Sequence, residues 1–255
     1  MKELLDFAIQ TAEQAGKITL KYFQSDIDIE VKPDNSPVTV ADREAEDFIR
    51  QEIEKRFPDD GILGEEFGEK KSKSGFRWTI DPIDGTKTFI LGVPLYGTMI
   101  GLEKDGEPQI GVVRYPPLNQ TISALKGNGC HLNDKKCSIS KTDQLSKATL
   151  TMTSYGDLAR DWGEKVLLRL IRKTALHRTW GDCYGYMMVA TGQADICIDT
   201  IVKNWDVTPL LPIIQEAGGR ITNLNGDASI HISNTIATNG QFHDELLELI
   251  MSSKE

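Results

Sequence analysis

Cysteine and histidine are both scarce in this chain, at four of each in 255 residues. Cys130, Cys137, Cys183 and Cys197 show no C-x-x-C spacing and the histidines are scattered, so neither a zinc site nor a disulfide framework is expected. Free thiols in a reducing, cytoplasmic setting are the corresponding expectation. Runs of lysine and arginine are missing and the formal charge is −9, which argues against a nucleic-acid partner. Long apolar runs are missing too. The N-terminus places Leu4, Ala8, Ala12, Ala15, Ile18 and Tyr22 at helical spacing, an amphipathic pattern and not that of a signal peptide. No later segment approaches the length of a membrane span, so no membrane partner is expected.

What is present is an ordinary globular composition, 39% hydrophobic and 26% charged, enough for one large core or two modest ones. Periodicity predicts helices over 3–23 and 40–57, separated by the turn-rich K-P-D-N-S-P; Pro58-Asp59-Asp60-Gly61 stops the second. A strand over 61–65 leads into a polar, lysine-rich stretch over 67–75, read as a mobile loop, and a strand over 76–81 follows. From Leu95 the pattern is that of hairpins, with a turn at Lys104-Asp105-Gly106-Glu107. After about Lys147 strands and helices alternate. They are a strand over 148–154, helices over 162–173 and 185–191, a strand over 194–199, and helices over 207–217 and 241–252. The fold class is mixed, α+β passing into α/β. One subdomain spans 1–140 with antiparallel sheet, and a second spans 141–255.

Acids collect where these strands end. Glu65 and Glu66 follow Gly61-Ile62-Leu63, Asp81 and Asp84 follow Trp78-Thr79-Ile80, Asp199 ends Ile196-Cys197-Ile198, and Asp206 precedes a helix. Each alone would pass as a helix cap. As a set they suit Mg²⁺, which takes carboxylate and carbonyl oxygens. Gly85-Thr86 comes next. If Lys87-Thr88-Phe89 opens a short helix, the free N–H groups of Gly85 and Thr86 face a phosphate. Cation ligands beside a phosphate cradle describe metal-assisted phosphate-ester hydrolysis. Thr39 and Asp42 have the spacing of a capping box, which by itself accounts for both residues. Two other readings of D-P-I-D-G-T fail: Pro82 stands where a D-x-D-G-T phosphatase has its nucleophilic aspartate, and an EF-hand loop admits neither Pro82 nor Lys87.

These motifs resemble the inositol monophosphatase superfamily over nearly the whole chain. The marks are V-T-V-A-D (38–42), G-E-E (64–66), D-P-I-D-G-T (81–86), G-Q-A-D (192–195), W-D (205–206) and E-A-G-G (216–219), in the family's order. The resemblance implies a layered α-β-α-β-α sandwich, commonly a homodimer, with two or three Mg²⁺ ions and inhibition by Li⁺. It implies metal ligation by Glu65, Asp81, the carbonyl of Ile83, Asp84 and Asp206. Glu65 would also orient the attacking water, Thr86 hydrogen-bonded to Asp42 would help deprotonate it, and Gly85 with Thr86 would hold the phosphate.

Within the superfamily, the Lys87-Thr88-Phe89-Ile90 that follows D-G-T resembles the histidinol-phosphatase branch, as does W-G-D-C-Y-G-Y (180–186). Histidinol phosphate carries an ammonium and an imidazole, so acids beside the phosphate make physical sense. Lys87, Asp182 and Asp199 are the candidate substrate-binding residues. Lys87 also reads as a solvated surface lysine and Asp182 as a helix cap. Tyr184 and Tyr186 cannot share one helix face, so at most one lines the pocket. The expected partner is a small phosphorylated metabolite. Inositol-1-phosphate, a broad range of sugar and nucleotide phosphates, and a non-enzymatic binding role stand as alternatives.

Overall fold

Small residues set how the N-terminal helices pack. In α1 (Lys2–Tyr22) the buried positions are Ala8, Thr11, Ala12, Ala15, Gly16 and Thr19, a single face at helical spacing. In α2 (Val40–Arg56) Ala45, Ile49 and Ile53 share the buried face with two acids, Asp42 and Glu46. The predicted capping box opens α2: Thr39 Oγ1 accepts from Ala41 N–H at 3.1 Å, and Asp42 Oδ2 accepts from Thr39 N–H at 2.8 Å. The computed structural model describes residues 1–33 and 36–254; Asp34 and Asn35 of the predicted turn lie outside the described residues.

Among the described residues the strands form a two-stranded ribbon (Ile29–Val31 with Pro37–Thr39), an eight-stranded sheet and a five-stranded sheet. The large sheet is antiparallel except where Gly61–Gly64 runs parallel to Phe76–Asp84. Its centre is Phe76–Asp84, Gly97–Lys104 and Glu107–Tyr115. In the small sheet Thr149–Met152 lies parallel to both Leu176–Arg178 and Ile196–Asp199, and Thr235–Thr238 adds antiparallel to the latter.

Of the four apolar clusters among the described residues, three divide these elements into layers and the fourth joins Ala41, Ile83, Phe89 and Tyr96. The first packs α1 and α2 on one face of the large sheet around Trp78, whose indole N–H donates to Asp60 at 2.9 Å. The second lies between the sheets and contains α6 (Asp182–Ala190) and α7 (Asn204–Glu216). The third packs α4 (Tyr155–Trp162), α5 (Glu164–Lys173) and α8 (His243–Lys254) on the outer face of the small sheet. The order is α-β-α-β-α, as the sequence motifs imply.

The structure corrects several boundaries. The stretch 67–75, expected as a mobile loop, carries the strand Gly68–Lys70, and Ser74 donates to buried Asp60 at 2.6 Å. The helix predicted over 162–173 begins at Glu164, because Gly163 at φ 102° separates it from a helix that ends at Trp162. α4 was not expected, although Ser154 caps it with an acid three residues on, a recognisable start signal. α7 begins three residues earlier than predicted, so Pro209 falls in its second turn and not its first. The four cysteines are free. Among the described residues no helix is long and apolar enough to cross a membrane.

His243 gives the fold a pH dependence. Its ring is buried between the hydroxyls of Thr222 and Thr238, each 2.9 Å away, and burial together with Arg220 lowers its pKa to about 4 from 6.5. Below pH 6.5 the unfolded chain takes up a proton that the folded chain refuses, so this contribution is lost as pH falls toward 4. The shift corresponds to about 3 kcal/mol. The stability gap between wild type and His243→Gln should therefore shrink by roughly that amount between about pH 7.5 and pH 4.5 in urea unfolding; a constant gap would reject it.

Candidate active site

Two aspartates three positions apart on a regular strand point to opposite faces. Here they do not, because Asp81 pairs with Met99 while Asp84 pairs with Gly97, so the strand contains one extra residue. That bulge reverses the parity and brings both carboxylates to one side. Pro82 is tolerated there because a bulged position need not donate to the ladder. Its carbonyl accepts from the Thr98 hydroxyl at 2.8 Å, and Ile83 N–H donates to Asp81 Oδ1 at 3.0 Å. Asp206 arrives from the other direction, on the first turn of α7, with Oδ2 accepting from Lys203 N–H at 2.7 Å. One carboxylate oxygen from each of Asp81, Asp84 and Asp206 lies within 4.8 Å of the other two.

Glu65 stands beside this trio with a partner of its own. Lys32 Nζ donates to Glu65 at 2.8 Å and to Glu66 at 2.6 Å. Burial opposes the lysine's charge, but the two carboxylates outweigh it and hold its pKa above the ordinary range. The turn that carries these acids is fixed by Glu46 of α2. Its carboxylate accepts from Glu66 N–H at 2.7 Å and Phe67 N–H at 3.2 Å, while Arg50 neutralises it at 2.7 Å. Gly64 is required here, since a Cβ would lie 1.9 Å from Glu46 Oε1. Lys32 and Glu46 escaped the sequence reading. Glu46 had a signal, a second acid beyond the capping Asp42 on the small, apolar face of α2; Lys32 had none.

The expected hydrogen bond between Thr86 and Asp42 is not made. Thr86 Oγ1 donates to the Ile83 carbonyl at 3.0 Å, closing the turn after the bulge. Asp42 Oδ2 is held by the Thr39 amide and hydroxyl, and its Oδ1 is buried with no partner. Gly85, at φ 85°, lets the chain reverse into α3 (Thr86–Ile90).

A cavity of about 540 Å³ opens from Asp84 and Asp206 past Lys87 to Asp182 and Asp199. Asp182 Oδ2 accepts from the Thr88 hydroxyl at 3.2 Å and would lie 3.0 Å from a Cβ on Gly85. α6 starts earlier than predicted, so Asp182 is its first residue and takes a left-handed φ of 48°, a strain on the order of 1 kcal/mol. Three hydrogen bonds hold that corner. Asp182 N–H donates to Thr153 Oγ1 at 2.8 Å, the Thr153 hydroxyl donates to Asp199 Oδ1, and Cys183 N–H donates to Asp84 Oδ2. Of the two tyrosines, Tyr186 lines the cavity, while Tyr184 packs edge-on to Tyr115.

Burial dominates the electrostatics. It raises Asp206 to about 7, helped by Glu65, and Asp42 to about 7, helped by Glu66 and Glu65. It raises Asp182 to about 6, helped by Asp199. Asp81 and Asp84 are pushed well above the carboxylate range by burial and then by the acids around them. Lys32 is taken up by Glu65 and Glu66, and Lys87 acts on Asp182. The trio therefore has hard oxygen donors, like charge and, among the described residues, no ion pair to a lysine or arginine, which fits a hard divalent ion.

The comparisons agree with this geometry. A family model described as inositol monophosphatase family matches residues 1–255. A histidinol-phosphatase of Chlorobaculum parvum is 44% identical, covering 89% of this chain and 88% of that protein. One from Mycobacterium tuberculosis is 38% identical over 95% and 96%. Among solved structures, an IMPase of Thermotoga maritima superposes with a TM-score of 0.91 at 31% identity, covering 99% of this chain and 98% of that one. With its bulged D-P-I-D-G-T strand meeting the W-D helix in this layered sandwich, the chain belongs to the inositol monophosphatase family.

Proposed function

We propose that this phosphoric monoester hydrolase cleaves histidinol phosphate to histidinol and phosphate with the help of Mg²⁺. The observation that carries the reading is the cavity itself, which is lined by Asp84 and Asp206 of the cation-ready trio and also by Asp182 and Asp199. A phosphate ester bearing an ammonium is complementary to both. The histidinol-phosphatase names of the two relatives support the same substrate.

Asp81, Asp84 and Asp206 would hold the ion, joined by Glu65 and by the Ile83 carbonyl, which keeps a second lone pair beside its bond from Thr86. When bound, Mg²⁺ supplies Lewis acidity toward the phosphoryl group and its attacking water. Two or three ions and inhibition by Li⁺ belong to this proposal. Gly85 and Thr86 offer the phosphate the backbone N–H groups of the turn into α3. Lys87 lines the same cavity and adds positive charge. Asp42 Oδ1, buried and without a partner, is the acceptor available for the proton lost by water, with the Thr86 hydroxyl as its relay once it turns from Ile83. Asp182 and Asp199 take the ammonium.

A phosphate-release panel tests the substrate. Histidinol phosphate should exceed inositol-1-phosphate in kcat/KM by about 100-fold, the scale of a charge-assisted contact. Comparable rates, or preference for inositol-1-phosphate, would overturn the assignment. Asp182→Asn, which tolerates the left-handed backbone, should erase most of that preference. Asp84→Asn should cut Mg²⁺-dependent turnover about 1,000-fold or more in a folded protein, on the scale of losing a charge-stabilising group.

Stability should move the opposite way. The raised pKa of Asp206 means that its protonated form is the one folding favours. Its contribution is full below 3.8 and is lost as pH rises through about 7. In chelator near pH 8, Asp206→Asn should melt several degrees above wild type, and the difference should fade toward pH 4. A variant that melts lower at both pH values would contradict the uncompensated-charge account.

A further inference from the structure

Thr153 has no place in the reaction as described above, yet it joins both acids proposed to receive the ammonium. It is the single residue between the strand Thr149–Met152 and Ser154, which caps α4. The parallel neighbour Ile196–Asp199 ends beside it, with Met152 paired to Ile198. Its hydroxyl gives its one proton to Asp199 Oδ1 and accepts the Asp182 N–H at 2.8 Å, so its donor and one acceptor position are both used.

We infer that Thr153 is a positioning residue for substrate selection: it sets the left-handed Asp182 so that its carboxylate and that of Asp199 face one ammonium group in the cavity. The inference rests on the proposed function above and names the ligand class more narrowly, a phosphate ester of an amino alcohol.

Three observations support the role. Asp182 is the first residue of α6, and its left-handed backbone has the amide anchored to Thr153. Gly181 wraps so closely around Thr153 that a Cβ would lie 2.2 Å from the Thr153 nitrogen, which fixes the approach of the two segments. Thr153 itself lines the cavity along with Asp182 and Asp199. Valine would keep the shape of Thr153 but remove the hydroxyl that serves the Asp182 N–H and Asp199 Oδ1, leaving Asp199 the Thr153 amide and the Tyr186 hydroxyl. Serine would restore both bonds. The chemistry at phosphorus depends on other groups, so the loss should appear in recognition of the amine.

The test compares histidinol phosphate with its deamino analogue in wild type, Thr153→Val and Thr153→Ser, with the melting temperature of each variant as a control for folding. In Thr153→Val the KM for histidinol phosphate should rise about 10- to 100-fold, the range for lost hydrogen bonds to charged groups. Its kcat should stay within about threefold, and the constants for the deamino ester should barely move. Thr153→Ser should recover most of the KM. Binding of the product histidinol by calorimetry should follow the same order, independent of turnover. A wild type that prefers the amine-bearing ester while Thr153→Val keeps that preference overturns the inference and leaves the proposed function standing. Equal losses on both esters assign Thr153 a merely structural role and overturn it too. A wild type with no preference for the amine removes both readings.

Discussion

Three carboxylates that repel one another, Asp81 buried and Asp84 and Asp206 half-buried, are held within reach of a single ion, and much of the fold serves to keep them there. Asp81 and Asp84 come from a bulged strand in the large sheet, and Asp206 comes from a helix packed between the two sheets. Repulsion in a low-dielectric site would spread such groups apart unless their backbones were fixed independently. Each is fixed. Asp81 accepts from Ile83 N–H, Asp84 from Cys183 N–H and Asp206 from Lys203 N–H. The approach of α7 to the sheet depends on glycine at two positions. A Cβ on Gly111 would meet the Pro209 oxygen at 1.9 Å, and one on Gly101 would meet Thr208 at 2.8 Å. Side chains there would push α7, and Asp206 with it, away from the other two acids.

Charge around the site is compensated unevenly. Arg50 covers buried Glu46, Lys32 covers Glu65 and Glu66, and Lys87 acts on Asp182. The central trio keeps its excess negative charge, which stabilises a bound cation at the expense of the metal-free fold. Lys32 is attached to the ribbon Ile29–Val31/Pro37–Thr39, which also leads into the capping box at Asp42. One small element thus carries both a counter-ion for Glu65 and the entry to the helix that presents the unpartnered Asp42 oxygen.

The acids were legible because several strand ends carry them at once, though each alone would pass as a cap, and because D-P-I-D-G-T is dense with constraint. The sequence also made the layers legible, through helix and strand periods on either side of about Lys147. Contacts made between distant segments were out of reach. Nothing near Lys32 announces Glu65, and nothing near Thr153 announces Asp182, 29 positions away. The Thr86–Asp42 pair failed for a related reason. Local partners, Ile83 for Thr86 and Thr39 for Asp42, were available to each and took the bonds. Boundaries failed where one residue's backbone decided the matter. Gly163 moved the start of a helix from its expected position at Trp162 to Glu164, and the bulge carried a strand three residues past its expected end.

Recognition and chemistry meet at one peptide unit. Asp182, proposed to read the amine, and Cys183, whose N–H supports Asp84, are consecutive, so the group that selects the substrate is covalently next to the one that holds a cation ligand. Tyr115 donates to the Cys183 carbonyl at 2.8 Å from the large sheet, while Thr153 holds Asp182 from the small one. The peptide is therefore pinned from both sheets. Seating an ammonium against Asp182 relieves the repulsion that this carboxylate exerts on Asp84. The two carboxylates thus act on each other across that peptide unit.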